Sequence, residues 1–141
     1  MSFGNSQVGI AHAMGHSFGA IFHVPHGRSV DLFLSYSIEY GARDAMERYA
    51  DIAREIGIEA KTDEEAVKKL VEAVRKLVRE VGEPASIKEL GISKENFEKR
   101  LDDLATRAAN STCTFMNPRV PDVEDTRKLI IYAYEGKKVD F

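Results

Sequence analysis

Apolar residues recur at intervals of three and four positions along most of the chain, the spacing that places them on one face of an α-helix. The clearest run follows Thr62 or Asp63, either of which is a suitable cap, and stops at Gly82. Similar runs predict helices over residues 42–57, 93–108 and 122–134, the last two opened by Ser93 and Asp122. Period-two alternation is nearly absent, and residues 111–115 form the only plausible extended run. The pattern therefore predicts an all-α helical bundle.

Two further helices are predicted before these, from Asn5 to about Gly19 and from His26 to Tyr40. The first is apolar around its whole circumference, and a helix of this kind is normally buried on all sides. The later helices are amphipathic and offer one apolar stripe each. We therefore expect another chain, or further residues, to cover part of the first two helices.

The composition limits the classes of protein that the chain can belong to. Its 141 residues and 15.8 kDa suffice for one domain, predicted to span residues 1–141. A net charge of -3 gives no field that would favour nucleic acid or an anionic membrane. The single cysteine suits a reducing compartment, and no apolar run approaches the length of a membrane span. We predict a cytoplasmic chain.

Histidines concentrate at the start of the sequence. Residues 1–30 carry one charged side chain, Arg28, and all 4 histidines of the chain. His12 and His16 stand four positions apart, so in a helix both imidazoles can reach one metal ion. A hydrogen-bonded pair in the core is the alternative. His23 would lie about 16 Å beyond His12 along the helix axis, too far to share an ion, and is interpreted as a rim or loop residue.

The fourth histidine, His26, follows a break in the helix. Pro25 disfavours helical geometry for the residue before it, and with a break near Gly19 the linking residues can carry His26 back beside His12. Ions that accept imidazole, such as Zn²⁺ or Fe²⁺, normally take three or four protein ligands, often with a carboxylate among them. Asp31 is the nearest acid and is interpreted as solvent-facing or as a helix-start acid. A metal site built from this segment alone is therefore incomplete.

Two motifs carry a family resemblance. The segment GIAHAMGHSFGAIFHVPHG from Gly9 to Gly27 resembles the signature of the iron-containing (group III) alcohol dehydrogenases, and Asn117-Pro118-Arg119 resembles a second element near the end of that family's chains. The resemblance covers essentially the whole sequence. It implies the C-terminal part of the helical metal-binding domain, in a fold similar to that of dehydroquinate synthase-like proteins.

The resemblance implies roles for individual residues. His12 and His26 would be ligands of Fe²⁺ or Zn²⁺, whereas His16 would be the catalytic residue beside the reacting carbon and the nicotinamide. This role for His16 differs from the ligand role that its spacing also allows. Cys113 and Phe115 would line the substrate pocket, with core packing as the alternative. Asn117 and Arg119 are expected to fix the turn into the last helix.

The resemblance also implies a reaction, the transfer of hydride between a small alcohol or aldehyde and NAD(P). That reaction needs a nucleotide-binding domain, together with an aspartate and another histidine as metal ligands. The glycines at 4, 9, 15 and 19 lie along a predicted helix, where close packing explains them, and no strand precedes a glycine-rich loop. We therefore expect these 141 residues to be inactive alone and to need a complementary nucleotide-binding chain.

A noncatalytic role is the competing hypothesis. A helical bundle that self-associates through its first two helices would bring His12 and His26 of two copies to a shared metal site. A di-metal carboxylate bundle is set aside, because no histidine of the sequence has a glutamate three residues before it.

Overall fold

The computed structural model describes residues 8–141. Its α-helices, numbered in chain order, are α1 (Ile10–Phe22), α2 (His26–Gly41), α3 (Met46–Glu55), α4 (Asp63–Glu80), α5 (Lys94–Ala109) and α6 (Val123–Glu135). Single 3₁₀ turns lie at Lys88–Leu90 and Thr114–Met116. Residues 8–141 contain no strand, so the predicted all-α class is confirmed. None of the helices described here is long and apolar enough to span a bilayer.

The predicted caps begin the later helices. The side-chain oxygens of Thr62, Ser93 and Asp122 accept hydrogen bonds from backbone N–H groups three residues on, at Glu65, Asn96 and Asp125. Each cap satisfies one of the N–H groups that a helix start leaves without an internal partner. Because these signals are local, α4, α5 and α6 begin where the sequence predicts.

The end of the first helix differs from the prediction. α1 continues through Gly19 to Phe22, and His23 then leaves the helix in the left-handed conformation with φ of 55°. Gly19 lies inside α1 and packs closely on α2, where a β-carbon would stand 2.9 Å from the Ser29 hydroxyl oxygen. Only residues 23–25 therefore link the two helices. The predicted start at Asn5 lies outside the described residues.

Two other predicted boundaries are wrong. Residues 111–115 are not extended; they form a turn that leads into the second 3₁₀ segment. The Thr114 hydroxyl donates to the Ala108 carbonyl at 2.6 Å, which holds this segment coiled against the end of α5. α3 begins at Met46 rather than at residue 42, because residues 42–45 turn the chain away from α2.

The interior consists of two apolar clusters that share α2. The larger joins α1, α2, α5 and α6 and includes the buried side chains of Met14, Phe18, Phe33, Leu104 and Leu129. The smaller packs the end of α2 against α3 and α4 through Ile38, Ala53 and Leu70. α1 is more completely covered by its own chain than predicted, because α2 and α5 enclose Ile10, Met14 and Phe18 to 1% exposure or less. The face of α1 that remains open carries His16.

Candidate metal centre

Three of the histidines meet at one place on the surface. The ring centres of His12 and His16, one turn apart on α1, are separated by 5.6 Å. The His26 ring, at the start of α2, lies 5.6 Å from that of His12 and 5.0 Å from that of His16. The short link between α1 and α2 therefore brings His26 back to His12, as the sequence predicts. All three rings are close to one another, so ring spacing does not separate His16 from the other two.

The cluster combines one sheltered ring with two open ones. His12 is half-buried, whereas His16 and His26 are exposed. Burial lowers the pKa of His12, and the neighbouring His16 and His26 lower it further. A lowered pKa keeps the imidazole of His12 neutral at pH 7, the form whose nitrogen lone pair binds a metal ion.

The donor set suits an imidazole-binding ion in part. Imidazole nitrogens lie about 2.0–2.1 Å from zinc, which puts the ring centres of two ligands on one ion roughly 5 Å apart. The observed separations are close to that value. Ligation also requires the nitrogens to point at one position, and in residues 8–141 no three or more His, Cys, Asp or Glu side chains are arranged to hold an ion. The spacing of the three rings is thus compatible with shared ligation of an ion, but the described residues alone do not form a complete metal site.

The two remaining candidates near the cluster take no part in it. His23 is exposed at the end of α1, in agreement with its interpretation as a rim residue. Asp31 is not a helix-start acid, because the first turn of α2 contains no acidic residue. It is not fully solvent-facing either, because its Oδ2 atom is buried and has no hydrogen-bond partner among residues 8–141. Burial raises the pKa of this carboxyl group, and the nearby Glu83 carboxylate raises it further.

An ion pair anchors the segment that carries His26. The Arg28 guanidinium donates from Nε to one oxygen of Glu83 at 2.6 Å and from Nη2 to the other at 3.2 Å. This two-point contact joins the first turn of α2 to the loop that follows α4. It raises the pKa of Arg28, first through the hydrogen bond and then through the charge of Glu83. The start of α2 is thereby held from outside the cluster.

An apolar groove of about 530 Å³ lies beside His12. Its walls come from α1, α2, α3, α4 and the second 3₁₀ segment, with Leu34, Tyr49, Ile52, Val74 and Met116 among the lining side chains. Three of these are unusually open for apolar residues, Leu34 at 38%, Ile52 at 50% and Met116 at 53%. The sequence did not single them out, because each fits the apolar stripe or loop in which it stands.

Cys113 and Phe115, the two residues suggested for a substrate pocket, differ in their exposure. Cys113 is partly buried, and its backbone N–H is bonded to the Ser111 hydroxyl. Phe115 is 60% exposed, so the alternative of core packing is wrong for this side chain. Met116, at the end of the second 3₁₀ segment, and the two residues that follow it line the groove. Cys113 and Phe115 do not line the groove.

Asn117 and Arg119 do more than shape the turn into α6. Asn117 donates from Nδ2 to the Arg119 carbonyl at 2.8 Å, the local contact expected of a turn. Its Oδ1 also accepts from the backbone N–H of Ile10 at 3.3 Å, across 107 positions of sequence. The Arg119 guanidinium lies 4.0 Å from the Tyr40 ring centre and donates to the Phe141 carbonyl. The segment therefore connects the start of α1 with α2 and the end of the chain.

Comparison with known proteins points to one family. A family model described as "Fe-containing alcohol dehydrogenase family, C-terminal" matches residues 1–134. The chain is similar to NADPH-dependent butanol dehydrogenase of Clostridium saccharobutylicum, with 37% identity over 141 residues, 100% of this chain and 36% of that protein. It is also similar to lactaldehyde reductase of Escherichia coli, with 37% identity over 136 residues, 95% of this chain and 35% of that protein.

Solved structures agree in fold. The structure of an alcohol dehydrogenase from Oenococcus oeni superimposes with a TM-score of 0.85 at 34% identity, covering 95% of this chain and 34% of that one. A 1,3-propanediol oxidoreductase superimposes with a TM-score of 0.81 at 26% identity, covering 89% and 32%. The chain thus spans about a third of the length of these relatives.

Proposed function

The chain belongs to the iron-containing alcohol dehydrogenase family, as its C-terminal helical domain, and we propose that it supplies the histidine side of a metal-dependent alcohol dehydrogenase site. The observation that carries the proposal is the meeting of His12, His16 and His26, whose ring centres lie 5.0 to 5.6 Å apart. The segment with these residues is also the one that resembles the family signature.

Within this site, His12 and His26 are the proposed metal ligands. The lowered pKa of His12 favours the neutral imidazole that ligation requires. Arg28 and Glu83 support His26 by fixing the first turn of α2. The ion is Fe²⁺ or Zn²⁺, both of which accept imidazole. Such an ion, when bound, supplies the Lewis acid that polarises the oxygen of a small alcohol or aldehyde.

His16 is proposed as the catalytic residue. It is exposed and lies against both other rings, so its imidazole can exchange a proton with water while His12 stays sheltered. It would stand near the reacting carbon and the nicotinamide of NAD(P), moving the alcohol proton towards solvent. The names of the relatives, a butanol dehydrogenase and a lactaldehyde reductase, support a short-chain alcohol or aldehyde as substrate.

The rest of the site is proposed to come from outside residues 1–141. A nucleotide-binding portion and further ligands are needed, and the chain is expected to be inactive without them. The apolar groove beside His12, with Leu34, Ile52 and Met116 exposed, offers a surface on which such a portion would pack. NAD and NADP both remain candidates for the cofactor, because the loop that chooses between them belongs to that portion.

Reconstitution tests the proposal. The 141-residue chain is combined, as a separate chain and as a fusion, with the preceding part of the C. saccharobutylicum butanol dehydrogenase in the presence of Fe²⁺ or Zn²⁺. Butanol-dependent reduction of NAD⁺ and NADP⁺ is followed by absorbance. We expect activity that needs both parts and that is lost in His12→Ala and His26→Ala. Activity that is absent in every combination, although both parts are folded and associated, would contradict it.

A second candidate function is a noncatalytic, self-associating bundle with His12 and His26 of two copies at a shared metal site. The exposure of Leu34, Ile52 and Met116 next to His12 favours it, because a second copy could cover them. This role requires a stable homo-oligomer with no other partner. Analytical ultracentrifugation with and without Zn²⁺ decides the matter, since a chain that stays monomeric in both conditions excludes it.

A further inference from the structure

We infer that Asn117 is a positioning residue for His12, because its side chain caps the N-terminus of α1 and sets where the first histidine of the cluster stands. The role of His12 as a ligand rests on the function proposed above. The capping itself does not, so the two can be tested separately.

The need for a cap arises from the sequence of α1. Gly9 occupies the position before the helix and has no side chain with which to bond the first N–H groups. These groups lack partners inside a helix and cost free energy when they are buried unpaired. Ile10 is 1% exposed, and its N–H donates to Oδ1 of Asn117 at 3.3 Å. A residue from the far end of the chain thus provides what the local sequence lacks.

The surroundings hold the Asn117 amide in this orientation. Its Nδ2 donates to the Arg119 carbonyl, so both ends of the amide are bonded, and the residue is 8% exposed. A β-carbon on Gly9 would stand 2.7 Å from Oδ1, and one on Gly41 would stand 3.4 Å from Nδ2. Glycine at position 9 therefore leaves the space that Asn117 fills, whereas the distance at position 41 is an ordinary van der Waals contact.

A short path leads from this contact to His12. The His12 N–H donates to the Gly9 carbonyl at 3.1 Å, in the first turn of α1. The Asn117 side chain occupies the space beside Gly9 and accepts a hydrogen bond from the backbone N–H of Ile10. It thereby fixes the turn from which the His12 ring projects. Arg119 secures the other side of Asn117 through the Tyr40 ring and the Phe141 carbonyl. The path predicts an effect on His12 that is larger than the effect on His26.

The test compares four variants of the 141-residue chain. Asn117→Ala removes the cap, and Asn117→Asp keeps an acceptor for Ile10 while losing the donor to Arg119. Gly9→Ala leaves Asn117 in place and crowds its oxygen. Asn110→Ala is the matched control, because Asn110 is exposed and bonds only within its own helix, to the Thr106 carbonyl. The measurements are amide exchange at Ile10, the NMR signals of the His12 and His26 imidazoles, the unfolding midpoint and titration with Co²⁺ alone.

In Asn117→Ala we expect exchange at Ile10 to be about fivefold faster or more, because a lost cap exposes that N–H. The His12 signals should shift more than those of His26, and Co²⁺ should bind about tenfold more weakly, as for loss of other groups that orient ligands. Asn117→Asp should return the exchange rate at Ile10 to that of the parent and reverse most of the shift of the His12 signals. Gly9→Ala should produce the same shift as Asn117→Ala, and Asn110→Ala should match the parent.

Unchanged exchange at Ile10 and unchanged His12 signals in Asn117→Ala would overturn the inference. If that variant does not fold, Gly9→Ala and Asn117→Asp decide it by the same two signals, and normal His12 signals in Gly9→Ala count against it. If the parent chain does not bind Co²⁺, binding needs the ligands from outside residues 1–141, and the exchange and imidazole signals decide the capping role.

Discussion

Gly15 of α1 meets the backbone of Val30 in α2 so closely that a β-carbon on Gly15 would stand 2.8 Å from the Val30 Cα atom. The atom in the way is main chain and cannot rotate aside. This contact sets how near α1 comes to α2, and therefore how near His12 and His16 come to His26. The spacing of the candidate site depends on the absence of one side chain.

We expect Gly15→Ala to lower the free energy of unfolding. Overpacking of a close contact costs about 1–3 kcal/mol, whereas the better helix propensity of alanine offsets at most about 1 kcal/mol. Gly27→Ala is the control, because a β-carbon at that position of α2 would meet no atom within 4 Å. Urea unfolding followed by circular dichroism measures both. Equal stability of the two variants would show that α1 and α2 can separate at no cost.

Single histidine replacements distinguish the two roles of His16. In the reconstituted enzyme, we expect His12→Ala and His26→Ala to weaken the binding of Fe²⁺ or Zn²⁺ by tenfold or more. We expect His16→Ala to retain the ion but to lose activity. His23→Ala, at the exposed end of α1, is the control. Metal content after dialysis and direct titration provide the measurement. Loss of the ion in His16→Ala would instead assign His16 as a ligand.

Two buried tyrosines provide a comparison of hydrogen-bond strength. The Tyr40 hydroxyl donates to the Asp125 carboxylate at 2.6 Å, whereas the Tyr36 hydroxyl donates to the neutral Ala85 carbonyl at 2.9 Å. Hydrogen bonds to charged groups contribute more, so we expect Tyr40→Phe to cost about 2 kcal/mol and Tyr36→Phe about 1 kcal/mol. Denaturant unfolding at pH 7 measures both. The reverse order would mean that the Asp125 contact is offset by its desolvation.

The same tyrosines make stability depend on alkaline pH. Burial raises the pKa of Tyr36 to about 12, and burial together with the Asp125 hydrogen bond also raises the pKa of Tyr40. Above about pH 10 the unfolded chain releases protons that the folded chain keeps, so stability falls as pH rises. We expect the decline between pH 10 and about 12 to be shallower in Tyr36→Phe. Denaturant unfolding across this range checks the slope, and an identical slope in the variant would contradict the assignment.

Ile52 and Ile56 test the groove as a docking surface. They stand one turn apart in sequence and are 50% and 61% exposed, but only Ile52 lines the groove beside His12. We expect Ile52→Glu and Ile56→Glu each to change stability by less than about 0.5 kcal/mol, as exposed positions usually do. Ile52→Glu alone should weaken association with the nucleotide-binding portion, measured by calorimetry. Equal binding by both variants would place the contact elsewhere.

Local signals explain what the sequence could predict. Thr62, Ser93 and Asp122 accept hydrogen bonds from groups three residues away, so the helix starts that they cap can be predicted from the sequence alone. His12, His16 and His26 could be placed together because the turn at Pro25 and the helix spacing act within 15 positions. The resemblance added an assignment of roles, which remains a prediction.

Other features depend on contacts that no local pattern reveals. His23 ends α1 in a left-handed conformation that is typical of glycine, and the sequence therefore suggested Gly19 instead. Residues 111–115 were the only plausible extended run in the sequence, yet the Thr114 hydroxyl bonds back to α5. The bond between Asn117 and Ile10 spans 107 positions, and the space that Gly9 leaves for it appears only in the packed structure.

The short link between α1 and α2 has a consequence for the order of folding. The link of residues 23–25 is very short, so pairing α1 with α2 costs little chain entropy. We therefore expect the three imidazoles to come together early in folding. The contact between Ile10 and Asn117 must wait until almost the whole domain has been made and gathered. On a ribosome, which delivers the chain from its N-terminus, we expect the histidines to be brought together well before the cap arrives.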